Sequence, residues 1–247
     1  MGLFVKMRML GPRRDFVADC NTSAVVRGSL QGVPTDSSVN ASVPVGGMSK
    51  RMLDIFLAVI GIVLLSPLIL GLIVLLKLTD SGPLLYGHRR VGFGGREFRC
   101  WKFRTMVVNG DEVLRQYLAK NPSIAAMWQE QHKLVDDPRV TPLGAILRKL
   151  SLDELPQLLN VLTGEMSLVG PRPVVQAELD HYASSIRHYL SARPGLSGLW
   201  QISGRSNTTY FERVQMDRFY VMNWNLRMDL RIILMTIPAV AMSRGAH

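Results

Sequence analysis

Asp153 and Glu154 stand side by side in the stretch SLDELPQLLN, residues 151–160. Adjacent carboxylates can do chemistry. An Asp can attack phosphorus to form an aspartyl phosphate. A neighbouring carboxylate can hold Mg²⁺, which takes few protein oxygens and fills its remaining sites with water and substrate phosphates. The same residues can also be architecture. Ser151 and Glu154 match the S-x-x-E capping box, a device worth about 1 kcal/mol, with Asp153 as a bystander. Local spacing leaves both readings open.

The surrounding elements bear on the choice. Leu155, Leu158, Leu159 and Leu162 make one apolar helical stripe, Pro156 sits at its start and Gly164 can stop it. Upstream, TPLGAILRKL (141–150) reads as a short helix capped by Thr141 with Pro142 at its first position. Leu143, Ile146, Leu147 and Leu150 form its buried face, and Arg148 and Lys149 close it. Downstream, EMSLVGPRP predicts a short strand ending in Gly170-Pro171-Arg172-Pro173. Two prolines around one arginine restrict the backbone, so Arg172 can serve as a stiff bidentate phosphate clamp. GHRRVGFGGREFRCWKFRTM (87–106) predicts a hairpin turning at Gly94-Gly95, with Lys102 and Arg104 on one strand face where a phosphate could meet them. GFGG there lacks the third glycine and βαβ context of a dinucleotide fingerprint.

Ile55 to Leu76 is a run of 22 uncharged residues. At 1.5 Å per residue it would reach about 33 Å, roughly the hydrocarbon thickness of a bilayer. Ser66-Pro67 lies at its midpoint, where proline breaks or kinks a helix. Both flanks are basic, with Lys50 and Arg51 before, and Lys77, His88, Arg89 and Arg90 after. Positive charge at both ends favours a helix that enters, bends and returns, against the alternative of a kinked single span. A later run, Ile232 to Met242, is too short to span and fits an interfacial helix, or an ordinary core helix. Residues 1–48 carry no sustained period and no secretory signal, and read as a flexible tail.

The chain has 247 residues and a formal net charge of +10, which favours anionic partners. Its two cysteines form no CxxC and its five histidines no HExxH, against a disulfide scaffold or a zinc site. The carboxylate pair, Arg148, Arg172 and a membrane anchor together suggest phosphoryl transfer at a membrane. A non-catalytic, membrane-anchored basic module is the competing class. It leaves the carboxylate pair unexplained, and no aromatic-interleaved basic stripe suggests nucleic acid.

KRMLDIFLAVIGIVLLSPL, GHRRVGFGGREFRCWKFRTM, DDPRVTPLGAILRKLSLDELPQLLNVLTGEMSLVGPRP and RPGLSGLWQISGR resemble the bacterial sugar transferase family of monotopic polyprenyl-phosphate sugar-1-phosphate transferases. The likeness spans about Ser49 to Gly245 and is nearest the small exopolysaccharide-priming members. It implies an α+β, mostly helical fold. Residues 49–80 would form a re-entrant helix broken at Ser66-Pro67, and 81–247 a cytoplasmic catalytic domain on the membrane surface, with a small β-hairpin and interfacial amphipathic helices. It implies Asp153 as nucleophile, Glu154 assisting with Mg²⁺, and Arg148, Arg172 and Pro173 at the substrate phosphates. In RPGLSGLWQISGR it points to Trp200, Gln201 and Arg205 for nucleotide or sugar contact, beside a plain structural turn as the alternative. The implied substrates are a UDP-sugar, galactose before glucose, and undecaprenyl phosphate. The implied location is the cytoplasmic face of the inner membrane, among its lipids, with downstream glycosyltransferases as partners and no nucleic acid.

Overall fold

A computed structural model describes residues 43–131, 134, 136–203 and 208–241. Most of the expected tail, Cys20, Gly204, Arg205 and the end of the chain from Met242 lie outside the described residues.

The fold is mostly helical with very little sheet. Helix α1 (Gly47–Thr79) is the one described helix long and apolar enough to cross a membrane. Its helical run is unbroken across Ser66-Pro67, where a break was expected. The reason is local. Pro67 has no N–H to give the Val63 carbonyl, and the Ser66 hydroxyl donates to that same carbonyl at 2.8 Å. Helix α1 is buried towards its two ends, at Lys50, Asp54 and Ala58 early and at Leu72 and Leu76 late. Phe56, Val63, Leu64, Leu70, Val74 and Leu78 on the remaining surface are exposed.

Strands β1 (Leu85–Val91) and β2 (Glu97–Phe103) pair antiparallel, as the hairpin pattern predicted, around a turn in which Gly94 and Gly95 both take positive φ. Helices α2 (Gly110–Lys120) and α3 (Pro122–Gln131) follow. Helix α4 (Pro142–Lys149) starts as expected, with Thr141 Oγ1 accepting from the Gly144 N–H at 3.0 Å. A 3₁₀ turn (Leu152–Glu154) leads into α5 (Gln157–Thr163), which Gly164 ends in the left-handed conformation, φ 87°. Strand β3 (Ser167–Val169) pairs in parallel with β4 (Gly195–Ser197). Between them lie a 3₁₀ segment (Gln176–Ser185) and α6 (Ile186–Leu190). Helices α7 (Leu199–Ile202), α8 (Tyr210–Met222) and α9 (Leu226–Ala241) are the last of the described elements.

Two apolar clusters join α1 to this body. Ala58 and Ile62 pack with Phe98, Leu158, Val161 and Met166. Leu72 and Leu76 pack with Phe103, Leu147, Leu152 and Leu155. Polar contacts reinforce the first. Lys50, read from the sequence as a basic flank, is buried and pairs with Asp229 of α9 at 2.6 Å. Asp54 accepts from Ser167 Oγ and the Leu168 N–H, each at 3.0 Å. Arg51 donates to the carbonyls of Val161 and Leu162 at the end of α5.

Helix α9 has two apolar faces. Ile232 is buried with Met228 and Ile233 packed around it, while Leu230, Leu234 and Ile237 are exposed. Burial of Ile232 agrees with the core-helix alternative, and the exposed face is where an interfacial helix would present its apolar residues.

Candidate active site

The carboxylate pair sits in the 3₁₀ turn between α4 and α5, and the capping reading fails there. Ser151 adopts φ 55° and makes no side-chain cap. Glu154 instead accepts from Lys102 Nζ at 2.6 Å. A lysine brought in from β2 outcompetes the local backbone because a charge-assisted bond is stronger than a neutral one. Lys102 Nζ lies 3.7 Å from Asp153 Oδ2, bridging the pair. Burial pulls the Lys102 ammonium down, but Glu154 and Asp153 outweigh it and the net shift is upward.

Asp153 is buried at 7% exposure, and its carboxylate takes no hydrogen bond from another side chain among the described residues. Burial raises its pKa above the usual carboxylate range, and Lys102 and Arg148 oppose the rise. An ionised, half-neutralised oxygen with free lone pairs is what a nucleophilic carboxylate requires.

Arg148 is aimed by α4. Its Nε donates to Thr105 Oγ1 at 2.8 Å. Helix α4 can approach that strand end because residue 144 is glycine: a Cβ there would lie 2.1 Å from the Thr105 carbonyl oxygen. Helix α5 is keyed to β2 by Asn160, which accepts from the Trp101 N–H at 3.0 Å and donates to the Arg99 carbonyl at 2.8 Å. This latch sets Lys102 against the dyad. Sequence reasoning missed it, although an Asn on the buried face of a leucine-rich helix is the signal.

Arg172 belongs to a second group. Its loop is held by Tyr189, whose hydroxyl donates to the Val91 carbonyl at 2.6 Å and accepts from the Val174 N–H at 3.2 Å. The Arg172 guanidinium lies over the Trp200 ring at 5.4 Å, and Arg213 of α8 lies over the same ring at 4.7 Å. Trp200 is 5% exposed, so it is a platform under these guanidiniums. Asp217, also on α8, accepts from the Arg172 backbone N–H and from the Tyr182 hydroxyl at 2.8 Å. Burial pushes the Asp217 carboxyl up to about 7. Arg213 and Asp217 carried no sequence signal.

The hairpin connects the groups. Its register pairs His88 with Cys100 and Tyr86 with Lys102. Burial raises the Cys100 thiol to about 11, and Lys102, Glu154, Arg90 and Arg172 all act on it. Pro173 follows in that loop, half-buried. Gln201 donates to the Leu196 carbonyl at 3.2 Å. Arg205 lies outside the described residues. Arg104 departs from the expected pairing with Lys102: it is ion-paired with Asp80 at 2.8 Å, because β2 ends at Phe103 and the chain turns away.

No cluster of three or more His, Cys, Asp or Glu occurs among the described residues. Asp153 and Glu154 still fit Mg²⁺, a hard cation that needs only one or two carboxylates when phosphates and water supply the rest.

A buried carboxylate, a bridging lysine, Arg148 and the Arg172–Arg213 pair make a cationic site beside an apolar helix, suited to anionic substrates. Residues 45–243 match the model for bacterial sugar transferases, and the chain belongs to that family; by class it is a phosphoglycosyl transferase. It is 54% identical over 204 residues to the exopolysaccharide production protein ExoY of Sinorhizobium fredii, covering 83% of this chain and 90% of that one. It is 48% identical to the undecaprenyl-phosphate galactose phosphotransferase of Salmonella typhimurium, over 80% of this chain and 41% of that longer protein. It is 39% identical to the UDP-glucose:undecaprenyl-phosphate glucose-1-phosphate transferase of Xanthomonas campestris, over 81% of this chain and 40% of that one.

Proposed function

We propose that the protein transfers sugar-1-phosphate from a UDP-sugar to undecaprenyl phosphate, with Asp153 as the covalent nucleophile, as a first step of exopolysaccharide synthesis. The observation that carries this reading is the Asp153 carboxylate, buried beside Lys102 yet left without a hydrogen bond from another side chain.

In the first step an Asp153 oxygen attacks the β-phosphorus of the donor. The bond from that phosphorus to the bridging oxygen breaks, and UMP leaves with the oxygen and its electron pair. Sugar-1-phosphate remains on the carboxylate. In the second step a phosphate oxygen of undecaprenyl phosphate attacks the same phosphorus. The aspartyl C–O–P linkage opens at phosphorus and the carboxylate is regenerated. Arg148 and Arg172 neutralise the phosphate oxygens, and Lys102 holds Glu154 against Asp153. Asp153 and Glu154 would hold Mg²⁺, which when bound supplies charge neutralisation at the phosphates.

Packing bears on the membrane topology. Both ends of α1 are packed against one catalytic body, through Lys50 and Asp54 at the start and Leu72 and Leu76 at the end. A helix of 33 residues is about 50 Å long, so a straight span would carry one end away from that body. This supports an α1 that dips into the bilayer with both ends at the cytoplasmic face of the inner membrane. The exposed apolar faces of α1 and α9 would meet the lipid there. UDP-galactose is the favoured donor, because the relative named for galactose is more similar than the one named for glucose.

The test is UMP release by detergent-solubilised enzyme with a panel of UDP-sugars, with and without undecaprenyl phosphate and Mg²⁺. The reading predicts acceptor-dependent turnover, highest with UDP-galactose. A preference for another UDP-sugar overturns only the donor. Absence of UMP release with every donor overturns the reaction.

A further inference from the structure

A cavity of about 260 Å³ lies at the C-terminal end of α1, walled by Leu76, Pro83, Leu84, Met106 and Leu143. Thr79, Asp80 and Arg104 also line it. The Arg104 guanidinium uses Nη2 to reach Asp80. The Arg104 side chain keeps 12% of its surface exposed and lines the cavity beside Asp80, so one guanidinium sits at the edge of mostly apolar walls. Apolar walls with a single guanidinium at their edge suit an amphiphile with a hydrocarbon chain and an anionic head.

Position narrows the ligand further. The cavity lies against the last turn of α1, where Leu75 and Leu78 expose apolar surface at 42% and 79%. On its inner side Leu84 and Leu143 pack in the same cluster as Leu152, the neighbour of Asp153. Arg104 is two residues from Lys102, and the next residue, Thr105, holds Arg148. The cavity thus adjoins both the helix that would contact lipid and the strand end that serves the carboxylate pair.

We infer that this cavity receives the polyprenyl chain next to the phosphate of the lipid acceptor, with the Arg104 guanidinium beside its head. The inference rests on the phosphoglycosyl transfer reading and adds to it the place where the acceptor binds. It also accounts for the separation of Arg104 from Lys102: the first meets the acceptor, the second the dyad.

Met106→Trp and Thr79→Trp would fill the cavity, the second from an exposed position. Each variant is compared with the wild type in two assays: single-turnover UMP release without acceptor, and steady-state turnover against undecaprenyl phosphate. The expected result is unchanged UMP release and an apparent KM for undecaprenyl phosphate raised roughly tenfold, equivalent to about 1.4 kcal/mol. An unchanged acceptor KM in both variants, with wild-type UMP release intact, overturns the cavity assignment. A wild type that releases no UMP overturns the underlying reaction instead. Phosphatidylglycerol added to the micelles at equal mole fraction is the third arm. If it raises the wild-type acceptor KM to the level of the variants, the cavity belongs to a bilayer phospholipid and the inference fails.

Discussion

Asp229 and Asp153 are both buried aspartates with a lysine partner, and they are equipped for opposite tasks. Every oxygen of Asp229 is committed. Oδ2 takes Lys50 Nζ at 2.6 Å and Trp224 Nε1 at 2.9 Å, and Oδ1 takes the Tyr220 hydroxyl at 2.6 Å. Asp153 has one lysine at 3.7 Å, and that lysine spends its short bond on Glu154. The first site ties α1 to α9 and has no capacity left for a ligand. The second keeps a buried carboxylate with no bond from another side chain among the described residues. That contrast supports the proposed role of Asp153 as nucleophile.

The largest expected effect sharpens that contrast. Asp153→Asn should lower turnover by about 10³-fold or more, because the nucleophile is gone. Its thermal midpoint should stay near wild type, since no other side chain loses a hydrogen bond. Paired measurement of turnover and melting checks this, and a variant that retains activity breaks the comparison.

Lys50→Met should show the reverse. It strands the Asp229 carboxylate in a buried site, where losing one partner of an ion pair costs about 3–5 kcal/mol. A thermal melt in detergent should fall sharply, while the fraction that remains folded keeps its Asp153 chemistry. A small shift in the melt would mean that the Tyr220 and Trp224 bonds suffice.

Lys102→Met should fall between, lowering turnover by about 10- to 100-fold through a misplaced Glu154 and a less readily ionised Asp153. Asp153 must be ionised to attack, so activity falls as pH drops through its raised pKa. Removing the lysine takes away a positive charge that lowers this pKa, so the acid limb of the pH–rate profile should move to higher pH. A limb that stays in place would separate Lys102 from the ionisation of Asp153.

The smallest effect concerns Asp217, whose carboxyl rises from 3.8 to about 7 on burial. The folded state therefore holds a proton that the unfolded chain has lost over this interval. Stability from this group is full below the lower value and is lost as pH rises through the upper one. Melting midpoints measured across that window should decline in the wild type and flatten in Asp217→Asn.

Much of this was legible in the sequence where one segment carries its own instructions. The Thr141 cap, the Gly-Gly hairpin turn and the Gly164 stop are local devices, and they form as the residue types predict. The S-x-x-E motif misled because its outcome is decided elsewhere: Lys102, 52 residues upstream, captures Glu154. The pairing of Lys102 with Arg104 failed for the same reason, since Asp80 draws Arg104 away. Proline at 67 leaves the helical run of α1 continuous, and the adjacent serine donates to the carbonyl that Pro67 cannot serve. The Asn160 latch and the Lys50–Asp229 pair join segments 59 and 179 residues apart, which no local pattern reports.

The central claim is a covalent sugar-1-phosphate on Asp153. The enzyme is incubated with UDP-galactose in the absence of lipid acceptor, quenched, digested and analysed by mass spectrometry. The account predicts an added hexose-1-phosphate on the peptide containing Asp153, discharged when undecaprenyl phosphate is supplied. UMP release with the adduct on another residue, or turnover through direct transfer with no adduct at any time point, would contradict it.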